Sequence, residues 1–394
     1  MLAGSGASES CQGLFHQGVE KYRLKQLDDS LVALQSAVEC DVNDVQFRVA
    51  LAEALIEKGD DNRALAALRA ALKLEPDNQP ALRDAAALYL RHEMNAEAVP
   101  VLLKLAQLEP ANAQVLTNLG AAYAGTVDFP KAQASFEAAL KLNSKNASAL
   151  VGLGHVLIKT EQTERAIALL SEAVHIAPNA YEPRFLLGTA LIKVGRNQEA
   201  LTDLEAALRL GGDDPEIYYR LAQVYRALGR TDDAARALAK FSALRSQSNA
   251  AEEERREAAE LGMQAQNLVK QHKLDQAIAL LEKSRRLDGG TPETLFRLAG
   301  LYYDTQQYEL ASQDIHLAIA RAPSVWLYYY LLGLIDRNVN DPAAAKASFE
   351  TAARLNPAAA EVFTQLGELA AARGDQQEAQ RDFEQATRLN AKNK

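Results

Sequence analysis

Few aromatic residues, two cysteines and no long apolar run limit what this chain can be. Aromatic residues make up 6% of its 394 positions and hydrophobic residues 48%, so the apolar content is mostly aliphatic and Ala-rich. No apolar run reaches the roughly 18 residues of a membrane-spanning helix, which indicates a soluble helical protein. A net charge of −9 and an isoelectric point near 5.4 argue against nucleic acid or an anionic membrane as the main partner.

The sequence also lacks the patterns of catalytic and metal sites. It contains no His-Glu-x-x-His, Cys-x-x-Cys or Gly-x-Ser-x-Gly pattern and no Walker-type phosphate loop. The six histidines show no metal-ligand spacing; they are His16, His92, His155, His175, His272 and His316. We therefore predict no catalytic activity, no metal and no cofactor.

What the chain does contain is a repeated pair of predicted helices, seen most clearly in residues 113–146. Apolar and small residues fall at helical spacing in both halves of this segment: Leu116, Leu119, Gly120 and Tyr123, then Ala132, Phe136 and Ala139. Sliding the segment by 34 residues gives repeats that begin at residues 11, 45, 79, 113, 147, 181 and 215. After an insertion, repeats begin at 258, 292, 326 and 360, which makes eleven in total.

Three positions of the repeat have a nearly constant character. Position 8 is Gly or Ala in every repeat, and position 20 is Ala in all repeats but the first, which has Ser30. Position 24 is large and apolar throughout, as in Leu34, Phe136 and Phe383. Small residues let the two helices of a repeat cross closely, while the large residue fills the groove between them.

The spacing Leu-x2-Leu-Gly-x2-Tyr followed by Ala-x3-Phe-x2-Ala resembles the tetratricopeptide repeat, which has a period of 34 residues. The resemblance implies an all-α, right-handed superhelical solenoid of antiparallel helix pairs. We expect a disordered tail over residues 1–10, seven repeats over 11–248, and four repeats over 258–394. Residues 249–257 are predicted to lengthen the next helix to roughly 250–271, with Asn249 and Glu252 as a capping pair.

The two cysteines leave two alternatives open. Cys11 lies at the start of the first helix of the first repeat and Cys40 near the end of the second, and these ends are adjacent in an antiparallel pair. The two residues are either unrelated thiols or a disulfide, and a disulfide implies an oxidising compartment. The N-terminus lacks the features of a signal peptide, which predicts a cytoplasmic location, or a periplasmic or secreted one if the N-terminus is processed.

In the family that the chain resembles, the first helices line a concave groove, and positions 2, 5, 6, 9, 12 and 13 point into it. Carried over by position, the C-terminal part of this groove interleaves aromatic residues with arginines, the residue types of interface hot spots. The predicted groove residues are Phe185, Tyr219, Arg220, Arg226, Phe296, Arg297, Tyr303, Tyr330 and Arg337. Between them, Ala259, Gly262 and Gln266 predict a notch. The alternative is that the aromatic residues only pack between repeats and that the arginines at position 6, Arg220 and Arg297, pair with a Glu of the next repeat.

We therefore predict a non-catalytic scaffold that binds an extended peptide or a partner helix in the concave groove, where arginines favour an acidic or aromatic-bearing protein partner. Two alternatives remain open. The array is a substrate-recruiting or regulatory arm of a larger enzyme complex, or it self-assembles as a homodimer through its C-terminal repeat, which no further helix covers.

Overall fold

The computed structural model describes the backbone of residues 5–392 and the side chains of residues 10–391. Within these residues the chain forms α-helices joined by short turns, and no strand. The helices are α1 (Ser5–Arg23), α2 (Leu27–Cys40), α3 (Val45–Lys58), α4 (Asp61–Leu74), α5 (Gln79–Arg91), α6 (Asn95–Leu108), α7 (Ala113–Gly125), α8 (Phe129–Leu142), α9 (Ala147–Lys159), α10 (Thr163–Ile176), α11 (Tyr181–Lys193), α12 (Asn197–Gly211), α13 (Pro215–Ala227), α14 (Thr231–Lys270), α15 (Leu274–Asp288), α16 (Pro292–Asp304), α17 (Tyr308–Arg321), α18 (Trp326–Asn338), α19 (Pro342–Leu355), α20 (Ala360–Ala372) and α21 (Gln376–Lys392).

Consecutive helices pack as pairs, and the pairs form an all-α solenoid, as predicted. Close contacts join α3 to α4, α7 to α8 and α20 to α21, and a pair also contacts the next pair, as α8 does with α9. Many helices begin at a side-chain cap, which satisfies a backbone N–H that has no partner inside the helix. Asp128, for example, accepts a hydrogen bond from the backbone N–H of Lys131 at the start of α8.

The turn between the two helices of every repeat passes through one residue with a positive φ, always at position 15 of the repeat. Four of these residues are glycines, namely Gly59, Gly195, Gly229 and Gly374. The other seven are Lys25, Glu93, Val127, Glu161, His272, Gln306 and Asn340. Because the same turn recurs before and after the insertion, the structure has the register of eleven repeats that the sequence predicts.

The small and large columns of the repeat meet where its two helices cross. A Cβ atom built on Gly120 would lie 2.7 Å from Cδ1 of the Phe136 ring, and one on Gly333 would lie 2.6 Å from Cε1 of Phe349. Ala132 and Ala166, both at position 20, have no exposed surface. The helices therefore approach closely because these positions are small, as predicted.

Two predicted boundaries are wrong. Helix α1 begins at Ser5, so the expected disordered tail is helical from that residue on, and residues 1–4 lie outside the described residues. Helix α14 runs without a break from Thr231 to Lys270, so Asn249 lies inside a helix rather than capping one. No Pro or Gly occurs between Thr231 and Leu261, and most residues there favour helix, so nothing ends the second helix of the seventh repeat.

The contacts divide the chain into two compact bodies. The N-terminal body comprises Met1–Leu27 and Ala33–Gln247, and the C-terminal body comprises Asp28–Val32 and Ser248–Lys394. Each body has its own buried core, with Leu82 and Leu105 in the N-terminal body and Leu298 and Ile315 in the C-terminal body.

Candidate partner-binding surface

Within each body, the first helices of successive pairs lie side by side and present a surface, here called the helix A face of that body. In the N-terminal body, Phe185 on α11 is half-buried and stacks on Tyr181, with 5.7 Å between ring centroids. On α13, Tyr219 keeps 37% of its surface exposed and rests against Phe241 at 5.4 Å between centroids. The Phe185 ring therefore packs on another ring of the same helix, whereas Tyr219 exposes more than a third of its surface to solvent.

The two arginines of α13 differ in how they are held. Arg220 forms an ion pair with Glu216, one turn earlier, at 2.7 Å, and its guanidinium lies 5.7 Å from the centre of the Tyr219 ring. Arg226 is exposed and has no ion pair within the described part of the chain. Of the two, Arg226 has its charge free for a partner.

The aromatic residues of the C-terminal body are half-buried and packed against their neighbours. The Phe296 ring lies 5.0 Å from that of Tyr328, and the Tyr303 hydroxyl accepts a hydrogen bond from Nδ2 of Asn338 at 3.0 Å. Tyr330 lies 5.8 Å from the Phe349 ring, and burial raises the pKa of its phenol. Phe296 and Tyr303 therefore contact the next repeat, whereas Tyr330 packs on the second helix of its own repeat.

The arginines of the C-terminal body are neutralised. Arg297 pairs through Nε with Glu293 at 2.7 Å, and Arg337 pairs with Glu368 of the next repeat at 2.8 Å. Arg337, at position 12 of its repeat, does pair with the next repeat, but the alternative that position-6 arginines do so is wrong for Arg297 and Arg220. Their carboxylate partners stand four residues earlier on the same helix, which places the two side chains side by side.

A cavity of about 380 Å³ opens in the C-terminal body where the sequence predicts a notch. Gly262 and Gln266 of α14 line it as expected, but Ala259 does not. The opposite wall is α16, which contributes Gly300 and Asp304. Both stand at groove positions, 9 and 13 of their repeat, but neither is an aromatic residue or an arginine, so the sequence-based prediction did not include them.

A second cavity, of about 550 Å³, lies in the N-terminal body beside α9. His155, Lys159 and Glu182 contribute its polar groups. Burial and the nearby Lys159 charge lower the pKa of His155. No group of three or more potential metal ligands occurs in the part of the chain that the structure describes.

The structure also bears on the two cysteines and on membrane crossing. Of the two alternatives for the cysteines, the structure has the bridged one: Cys11 and Cys40 are joined, with 5.5 Å between their Cα atoms. Among the helices of residues 5–392, none combines the length and the apolar character that crossing a membrane requires.

Family models of the tetratricopeptide repeat match most of the chain. One such model matches residues 185–252, 263–325 and 330–393, a second matches 124–187, and a third matches 45–78. A curated relative, DnaJ homolog subfamily C member 3 of Gallus gallus, is 30% identical over 101 residues, which is 25% of this chain. The matched region spans a fifth (20%) of that relative's length.

Several solved structures are similar over part of the chain. A tetratricopeptide repeat protein from Parabacteroides merdae ATCC 43184 is 17% identical with a TM-score of 0.48, over 60% of this chain and 93% of that one. PilF of Pseudomonas aeruginosa is 17% identical with a TM-score of 0.45, over 51% of this chain and 91% of that one. A MamA fragment from Desulfovibrio magneticus RS-1 is 24% identical with a TM-score of 0.40, over 43% of this chain and 96% of that one.

Proposed function

Because the chain belongs to the tetratricopeptide repeat family, whose repeats are generally non-catalytic protein-interaction modules, we propose that it is a scaffold that binds an extended peptide or a partner helix on its helix A face. The observation that carries this proposal is the surface of α13. Tyr219 and Arg226 stand seven residues apart, which places them on the same side of the helix, two turns from each other. Tyr and Arg are residue types enriched at interface hot spots, and here a partly exposed ring and an unpaired guanidinium share one side of a helix.

The binding proposal is tested by affinity capture from a lysate of the source cell. We expect Tyr219→Ala with Arg226→Glu to lose partners that the wild type retains, because the variant removes both contacts without touching the buried columns. Arg209→Glu is the matched control, since Arg209 is an exposed arginine on α12, the second helix of its repeat. Identical captures from all three proteins would overturn the proposal for this surface.

The same capture addresses the alternative of an arm that recruits substrates to a larger enzyme complex. On that alternative the helix A face still binds protein, and a catalytic subunit is among the proteins that the variant loses. A captured protein that has enzymatic activity is a candidate catalytic subunit, and a captured protein without such activity is a candidate substrate.

The outer face of α21 supports a second candidate function, self-association. Phe383 keeps 38% of its surface exposed, whereas Phe136 and Phe349, at the same position of their repeats, keep 2% and 0%. Beside Phe383 lies a cavity of about 620 Å³ lined also by Ala379, Thr387 and Ala391. A second copy that packs there would cover the ring as a following repeat covers Phe136.

Self-association through α21 is tested by light scattering over a range of concentrations. Gln380→Glu with Thr387→Glu adds two charges at exposed positions of α21 and leaves Phe383 in place against Gly367. If the wild type dimerises through this face, the variant stays monomeric at concentrations at which the wild type does not. A wild type that is monomeric throughout excludes this candidate.

A further inference from the structure

The cavity between α14 and α16 in the C-terminal body has an apolar floor and two glycines in its walls. Ala265, Val269, Leu281, Phe296 and Leu301 form most of the apolar lining. This composition suits methylene groups rather than a hydrated ion, because burial of apolar surface is favourable and burial of an unpaired charge is not.

The two glycines leave space that packing does not require. A Cβ atom on Gly300 would meet no atom within 4 Å, and one on Gly262 would meet only Nη1 of Arg297, at 3.7 Å. Gly120 and Gly333 are different, because a Cβ on either would collide with an aromatic ring. A glycine inside a helix costs about 1 kcal/mol relative to Ala. Because neither Gly262 nor Gly300 carries a side chain, the volume between the two helices stays open.

The charges of the cavity do not cancel. Arg297 is neutralised by Glu293, whose Oε1 lies 2.7 Å from its Nε. Asp304 has no ion-pair or hydrogen-bond partner within residues 10–391. Asp304 is exposed to solvent at the rim of the cavity, and partial burial of its carboxyl raises its pKa. The lining therefore carries one negative charge in excess, and a cation is its complement.

We propose that this cavity receives the side chain of a lysine or arginine residue of a partner polypeptide, with the methylene stem on the apolar floor and the cationic head at Asp304. Long basic side chains are suited to such a site, because they bury an aliphatic stem while the charged end reaches a polar rim. The inference rests on the proposed function, since it gives the chemistry of one partner residue on the helix A face. It differs from the sequence-based expectation of an acidic partner because Arg297 and Arg337 are already paired.

The experiment is a titration of the full, nitrogen-15-labelled chain followed by NMR. The probes are the N-acetyl, N-methylamide derivatives of lysine, norleucine and glutamate, which compare a cation, a neutral stem and an anion. We expect the lysine derivative to shift the amide resonances of Gly262 and Gly300 and to bind about fivefold more tightly than the norleucine derivative.

Three variants separate the contributions. Asp304→Asn should remove the preference for lysine over norleucine, and Gly300→Leu should abolish the binding of both by filling the cavity. Gly13→Leu is the matched control, because Gly13 is an exposed glycine within α1 with open space around it, and it should leave binding unchanged.

Norleucine binding as tightly as lysine, glutamate binding best, or no shift at Gly262 and Gly300 with any probe would each overturn the inference. If the lysine derivative binds here while the captures with the α13 variant are unchanged, the cavity inference is supported and the proposal that α13 binds a partner is wrong. If those captures lose partners while no probe binds, the cavity inference alone fails.

Discussion

At the scale of single residues, the turn inside each repeat requires a positive φ, and in seven repeats the residue there is not a glycine. Val127 is β-branched and has a φ of 62°, a region in which such residues are strained, and its side chain is 67% exposed. We predict that Val127→Gly stabilises the fourth repeat by about 1 kcal/mol. This figure is the backbone strain that the substitution relieves minus the larger conformational entropy that glycine loses on folding. Hydrogen exchange of α7 and α8 measures the change. Gly195→Val, the reverse change in the sixth repeat, should reduce protection of α11 and α12, and unchanged exchange in both variants would contradict the account.

The column of alanines at position 20 makes a second prediction. Ala166 has no exposed surface, and Ile167 and Leu170 beside it are also buried. Ala166→Leu should overfill the helix crossing and lower the free energy of unfolding by ~1–3 kcal/mol. Ala168→Leu is the control, because Ala168 is exposed on the same helix. Urea unfolding measures both, and equal stability of the two variants would mean that the columns are misassigned.

Asp314 makes a prediction about pH. It is 2% exposed, its Oδ1 lies 2.8 Å from Nη1 of Arg285, and its Oδ2 has no hydrogen-bond partner. Burial raises its pKa in the folded protein despite Arg285. The folded state therefore keeps this proton to a higher pH than the unfolded state, whose carboxyl titrates near pH 3.9. A rise in pH above that value consequently destabilises the fold through this group.

The Asp314→Asn variant lacks this contribution. Its free energy of unfolding relative to the wild type should therefore increase from pH 4 to pH 7, whatever constant offset the substitution adds. Urea unfolding at each pH measures the difference, and Asp275→Asn, at an exposed position of α15, is the control. A difference that falls with pH would contradict the explanation.

At the scale of elements, the disulfide joins Cys11, in the first half of α1, to Cys40, the last residue of α2. Its two cysteines are 29 residues apart in sequence, so reduction frees a loop for which the chain-entropy model gives a loss of roughly 3–4 kcal/mol. We predict that a reductant increases hydrogen exchange in α1 and α2 and leaves α9 and α10 unchanged. Cys11→Ser with Cys40→Ser should reproduce the effect without reductant. Two reactive thiols in the unreduced, unfolded protein would show that the bridge does not form.

Helix α14 shows where local signals in a sequence mislead. Asn249 and Glu252 have the spacing of a helix start, yet they lie in the middle of 40 helical residues. A capping pair begins a helix only when the preceding residues leave the helical conformation, and here Ala, Leu, Lys and Arg residues continue it without Pro or Gly. The start of the eighth repeat was predictable from its period, and the absence of a turn before it was predictable only from the absence of breakers.

At the scale of the whole molecule, the repeat fixes the fold more firmly than it fixes the site. The period predicted the helix pairs, the buried columns and the notch beside Gly262, because each follows from spacing along one helix. The partners of Arg220 and Arg297 were not predicted correctly, since position in the repeat does not say which nearby carboxylate a flexible side chain reaches. The open space at Gly300 and the unpaired Asp304 were missed for the same reason, because both depend on what neighbouring side chains leave uncovered.

The central claim, that the helix A face binds a partner polypeptide, is tested most directly by site-specific photo-crosslinking in the source cell. The photoreactive residue p-benzoylphenylalanine replaces Tyr219 on α13 in one protein and Arg209 on α12 in the other. The account predicts covalent adducts with other polypeptides from position 219 and few or none from position 209. Adducts from position 209 alone, or equally from both positions, would contradict it.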